Sequence, residues 1–192
     1  VSDAGAVRLS MPERELLTQA QVRAIEQITS GPRGALVGPF VPLLRSPELM
    51  DRLQLVGEYL RFASVLDDAL FELAVLAVAR RWDQQFEWGH HQPIALAKGV
   101  PASVVDDVEA GRRPEHERAD LAVVWDVVHG LLHEGGVDDD VYDAALGLLG
   151  EQAVIELVVT VGYYTTLALT MNLARTPSPD DAPRMSPARA AS

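Results

Sequence analysis

The segment Phe86–Gly99, FEWGHHQPIALAKG, holds the side chains of this sequence best suited to chemistry. Glu87 and His91 are four residues apart, so on a helix of about 3.6 residues per turn they share a face. A carboxylate beside an imidazole fixes the ring's tautomer, and a histidine held in that way can give or take a proton near neutral pH. The same spacing also suits a plain solvent-facing Glu–His pair, worth roughly 0.2–0.5 kcal/mol. His90 adjoins the pair. Pro93 cannot donate to the carbonyl of Gly89, so a bend with a freed backbone oxygen is expected next to the histidines.

Glu72 is a second candidate. It stands inside LDDALFELAVLAVARR, Leu66–Arg81, which is apolar almost all round and is expected to form a buried central helix. An unpaired carboxylate there would be expensive, so Glu72 needs a partner. If the chain turns back at Arg80–Asp83, the ~1.5 Å rise per residue brings Glu72 within about two helical turns of Glu87. Such a carboxylate either holds a neighbouring helix or belongs to a proton-handling site.

Metal binding is not expected. Glu87 and His90 have the Glu-x-x-His spacing of di-iron bundles, but such sites need two copies and further glutamates, and the chain has one copy. His129 and His133 lack an adjacent third ligand and sit where a helix C-terminus favours histidine. The absence of cysteine excludes disulfides, thiolate nucleophiles and zinc–thiolate sites. GPRGALVG is glycine-rich but follows a helix and matches no phosphate-loop spacing. A net charge of −12 makes nucleic acid an unsuitable partner, and an anionic substrate would need a local positive site.

The elements that must position these groups are helices. Alanine, valine and leucine dominate, no alternating β-branched run demands a strand, and the class is all-α in a single domain. Helices are expected at about Pro12–Thr29, Ser46–Phe62 with Ser46 as cap, Leu66–Arg81, and a segment capped by Asp83 that ends at Gly99. Four more are expected at about Pro101–Ala110, Asp120–His133, Asp138–Leu149 and Gly150–Ala174. Ser30–Pro47 has too many glycines and prolines for one helix and should wrap the core or line a pocket. Residues 1–11 are expected to be flexible, and the Pro/Ser/Ala tail 176–192 disordered.

Ala153–Ala174 is long enough to span a bilayer, but Glu156 and a scatter of threonines point to a buried helix and no membrane. The start VSDAGAVRLS shows no secretory pattern, so a cytoplasmic location is expected.

Four stretches together resemble the carboxymuconolactone decarboxylase family: GPRGALVGPFVPLLRSPEL, GEYLRF, ELAVLAVARRWDQQFEWGHHQPIALAKGV and LLGEQAVIELVVTVGYYTTLALTMN. The resemblance covers about Arg8–Arg175, and the EW-x-x-H block followed by P-x-A-x-x-x-G is its most specific part. It implies an alkylhydroperoxidase-D-like helical bundle assembled as a homotrimer or hexamer. It also implies a cofactor-free lyase acting on a small carboxylate or lactone. The peroxidase branch uses E…C-x-x-C-x-x-x-H. Its glutamate and histidine fall on Glu72 and His91, but its cysteines fall on Gln84 and Glu87, so a disulfide cycle is not available. By resemblance His91 is the site histidine, Glu87 its neighbour and Glu72 the buried carboxylate facing them. Arg61, then Arg33, would hold a substrate carboxylate, Trp88 and Phe40 would form an apolar wall, and His90 falls where the family pattern is not fixed. The same scaffold would also suit an isomerase, hydrolase or cyclase, or a non-catalytic oligomeric binding protein.

Overall fold

A computed structural model of the chain describes residues 6–187; the expected flexible start 1–5 and tail end 188–192 lie outside the described residues. Among the described residues every regular element is a helix. They are α1 (Gln19–Ser30), α2 (Phe40–Leu43), α3 (Pro47–Phe62), α4 (Asp68–Arg81), α5 (Gln85–Ala97), α6 (Ala102–Glu109), α7 (Ala119–His133), α8 (Asp139–Leu149) and α9 (Glu151–Ala174).

α4 organises the rest. Every residue from Ala69 to Ala79 is buried, as its lack of a polar face requires. α5, α6, α7 and α9 pack around it. Each fully buried valine or leucine contributes roughly 1.5–3 kcal/mol relative to exposure. The run Leu73, Val75, Leu76 and Val78, each 0% exposed, is therefore a main source of cohesion. Asp67 caps α4 by accepting from the Ala69 N–H at 3.1 Å.

α9 is apolar and long enough to cross a membrane, and here one side of it packs on α2, α3, α4, α7 and α8. Its Glu156 is buried and accepts hydrogen bonds from Tyr59 Oη (2.6 Å), Ser64 Oγ (2.5 Å), the Val65 N–H (2.8 Å) and Gln152 Nε2 (2.9 Å). Burial alone would raise its pKa, but these donors outweigh it and hold the carboxyl at about 2. Glu156 thus ties α9 to the α3–α4 turn. Leu55, Val56 and Tyr59 of α3, with Ile155 and Val159 of α9, remain exposed and line an open apolar groove of about 810 Å³.

Four local expectations need correction. The first helix begins at Gln19, after a 3-10 turn at Arg14–Leu16, because Thr18 and Gln21 form a capping box and Leu16 finds no core to enter. Ser46 does precede α3, with Pro47 in its first turn, but its side chain makes no capping hydrogen bond. The cap of α5 is Gln84, whose side chain accepts from the Phe86 N–H at 2.8 Å; Asp83 instead takes a left-handed turn (φ 49°).

The fourth concerns the two chain ends. Residues 176–187, expected to be disordered, lie against α5. Arg80 donates to the Ser186 carbonyl (2.9 Å), Gln85 Nε2 donates to the Met185 carbonyl (3.1 Å), Gln85 Oε1 accepts from the Met185 N–H (3.0 Å), and Met185 is buried. The start of the described chain is also held: the Arg8 N–H donates to the Ala174 carbonyl (2.9 Å), and Arg45 donates to the Ser10 carbonyl.

Candidate active site

α4 and α5 fold back on each other through the tight turn at Trp82–Gln84, and this brings the two flagged segments together. His91 Nδ1 lies 2.7 Å from Glu72 Oε2, with both side chains buried. An ionised Glu72 can only accept, so the hydrogen belongs on Nδ1. His91 Nε2 then carries the free lone pair, and no described residue hydrogen-bonds to it. The His91 and Tyr164 rings meet in a T-shaped arrangement, 5.2 Å between centroids and 88° between planes. Burial pushes the Tyr164 phenol well above its usual range.

Glu87 does not form the expected pair with His91. It is 3% exposed, its Oε2 has no hydrogen-bond partner, and it faces the same cavity as His91. The imidazole is turned toward α4, where Glu72 supplies the carboxylate. Burial raises the Glu87 carboxyl well above the ordinary glutamate value, which favours its neutral form, a hydrogen-bond and proton donor.

Two cations border the cavity. The Arg33 guanidinium stacks over Phe40 at 4.8 Å and reaches Tyr163 Oη at 3.4 Å, while its buried Nε has no partner. Arg61 lies over Phe62 at 5.5 Å and lines the same cavity. Among the described residues neither arginine forms an ion pair or donates to a carboxylate. In a chain of net charge −12, two cations left without carboxylates beside an apolar wall make the field here locally positive, a candidate anion site.

His90 sits at the mouth and stacks on Phe86 at 6.3 Å and 14°. As a residue it remains exposed to solvent. Desolvation of the covered part, then His91, Arg61 and Arg33, lower its pKa to about 4, so it is neutral at pH 7.

The cavity has a volume of about 50 Å³ and is lined by Arg33, Phe40, Arg61, Phe86, Glu87, His90, His91 and Tyr164 among others. That is room for a few water molecules, against roughly 300–1,000 Å³ for an ordinary small-molecule site. Chemically the arrangement offers a lone pair at His91 Nε2, a carboxyl at Glu87 that burial biases toward the neutral acid, and two guanidinium groups that suit an anion.

Of the sequence candidates, His91, Glu87, Arg61, Arg33, Phe40 and His90 line the cavity, and Glu72 stands behind His91. Trp88 does not belong to it. One residue along from Glu87 the helix has turned by about 100°, which sends Trp88 into the core at 1% exposure. α5 runs through Pro93 without a break, and the face at Gly89 is covered by the C-terminal segment, where a Cβ would meet Ala182 at 2.8 Å.

Residue-by-residue reasoning passed over Tyr163, Tyr164, Phe86 and Gly57. A Cβ on Gly57 would run into the Tyr163 hydroxyl and the Arg33 guanidinium, so this glycine is what lets Arg33 cross α3. The available signal was the pair of tyrosines in an otherwise apolar helix, since a buried phenol needs a polar neighbour.

The chain matches no protein-family model, and no curated protein matches it in sequence. The resemblance to the carboxymuconolactone decarboxylase family therefore rests on the quoted motifs.

Proposed function

We propose that this protein is a cofactor-free lyase resembling carboxymuconolactone decarboxylase, acting on a small carboxylate or lactone acid by acid/base chemistry at His91. The observation that carries the reading is the convergence on one cavity of a buried His91–Glu72 pair, a neutral Glu87 and two arginines without carboxylate partners. Arg61 and Arg33 hold a substrate carboxylate by charge-assisted hydrogen bonds. The carbon–carboxylate bond breaks, its electron pair passes into an adjacent carbonyl to give an enolate, and carbon dioxide leaves. A proton from Glu87, or from the His91 imidazolium, then closes the carbon. In sum one carboxylate and one proton give carbon dioxide and the protonated carbon.

Glu72 acts through His91: it keeps the hydrogen on Nδ1 and stabilises the imidazolium whenever His91 holds a second proton. A second reading, an isomerase, uses the same groups without loss of carbon dioxide. It is favoured by a base and a neutral acid facing one cavity, the pair that a 1,3-proton shift requires. Product mass separates the two, since decarboxylation removes about 44 Da and isomerisation leaves the mass unchanged.

The same reading includes an alkylhydroperoxidase-D-like bundle assembled as a homotrimer or hexamer. The exposed apolar groove between α3 and α9 supports assembly, because a contiguous face of that kind is costly to leave in water. Light scattering of a stable monomer at micromolar concentration would remove this part of the proposal.

A further inference from the structure

A second cavity lies directly beyond the first. It measures about 400 Å³, and its walls are apolar side chains from the two chain ends and the α1–α3 connection: Val7, Leu9, Met11, Leu36, Val41 and Pro177. Phe86 and Val37 line both cavities, so they form the partition between them. The partition is thin. The Phe86 ring lies between the His90 imidazole, stacked at 6.3 Å, and the backbone of Gly38. Gly38 has φ +58°, and a Cβ there would run into the Phe86 ring. No hydrogen bond can fix a phenylalanine ring, and Val37 is 50% exposed, so what separates the two spaces is side-chain packing alone.

We propose that the two cavities form one substrate site, and that the substrate is an amphipathic carboxylate. Its carboxylate lies on Arg33 and Arg61 beside His91, and its apolar chain or ring passes Phe86 into the outer cavity. This inference rests on the anion site described above.

Two observations point to that class of molecule. The inner cavity, at about 50 Å³, admits little more than a carboxylate and the carbon that bears it. The space on the other side of Phe86 is lined mostly by apolar side chains, with Ser10 and Thr176 the polar exceptions, and so suits a hydrocarbon better than a polar group. A small polar acid would use the arginines and leave the outer cavity empty. A molecule with an apolar extension uses both, and removes from water the exposed faces of Val7 and Met11.

The test is isothermal calorimetry of the full chain with straight-chain carboxylates from butanoate to octanoate. Wild type, Arg61→Gln, Met11→Glu and Val7→Glu are compared, each checked for native helicity by circular dichroism. Met11 and Val7 are 45% and 44% exposed, so the charged variants do not open the core. The expected result is a tightening of about fourfold for each added methylene in wild type. Met11→Glu and Val7→Glu both flatten that dependence, and Arg61→Gln weakens the whole series.

Affinity independent of chain length, with binding still lost in Arg61→Gln, overturns the two-cavity site and leaves the anion site standing. That would be the outcome if a second copy of the chain filled the outer cavity. A chain-length dependence unchanged in both glutamate variants also overturns it, because the hydrocarbon would then lie elsewhere, for example in the α3–α9 groove. No binding of any carboxylate to wild type removes the anion site and this inference with it.

Discussion

Replacing Glu87 by glutamine should make the protein more stable and less active, by an amount that depends on pH in a stated way. Glu87 is 3% exposed, its Oε2 has no partner, and burial raises its pKa well above the ordinary 4.5. Above pH 4.5 the unfolded chain therefore releases a proton that the folded chain keeps. The sign follows directly. This contribution to stability is full below pH 4.5 and is lost as pH rises toward the folded-state pKa. The loss is about 1.4 kcal/mol per pH unit for one proton. Glutamine has nearly the same shape and cannot ionise. The stability difference, Glu87→Gln minus wild type, should thus be flat below pH 4.5 and climb at about that slope above it. Urea unfolding of both proteins from pH 4 to 8, at one fixed concentration, measures it, and the other titrating groups cancel in the difference. A difference that stays flat across the range would refute the reasoning, since Glu87 would then ionise alike in the folded and unfolded chains. The same variant lacks the acid proton, so turnover should fall by roughly 10²–10⁴-fold while stability rises.

Other outcomes follow from the same geometry. Arg61→Ala should weaken binding of a substrate carboxylate by roughly 1.5–3 kcal/mol, read as a raised KM or Kd with little loss of stability. Gly57→Ala drives a methyl group into Tyr163 and Arg33; it should cost about 1–3 kcal/mol in urea unfolding and weaken carboxylate binding as Arg33 is displaced. Glu156 has a depressed pKa of about 2, so its stabilising contribution is present above pH 4.5 and lost as pH falls toward 2. It lies beside an open groove, which moderates the effect to ~1 kcal/mol, and Glu156→Gln should show a correspondingly shallower acid transition.

The elements that position the site were readable where one physical requirement dominates. A helix with no polar face must be central, and α4 is. A carboxylate inside it must have a partner, and Glu72 has His91. The Glu87–His91 spacing put both on one helix face, and both line one cavity, but a shared face does not decide which way an imidazole turns. That choice was made by α4, through contacts nineteen residues away in the chain. The start of α1 was misplaced although its capping box, Thr18 to Gln21, was visible, because Leu16 extends the apolar pattern yet is 71% exposed, while Leu17 reaches the core from outside the helix. Trp88 was assigned to the wall by type, although its helical position already turned it toward the core. The tail has the composition of a disordered segment. The order of its described part, 176–187, comes from hydrogen bonds donated by Arg80 and Gln85 to its backbone, and from Glu109 accepting the Ser186 N–H, none of which composition displays.

The central claim is that His91, paired with Glu72, moves the proton in a reaction that releases carbon dioxide. It is tested most directly by carbon dioxide release from γ-carboxymuconolactone and a small panel of β-keto and lactone acids, with wild type, His91→Ala and Glu72→Gln side by side. Wild type should release carbon dioxide from at least one acid, with release abolished in His91→Ala and reduced by roughly 10²-fold or more in Glu72→Gln. Release that persists undiminished in His91→Ala would contradict it.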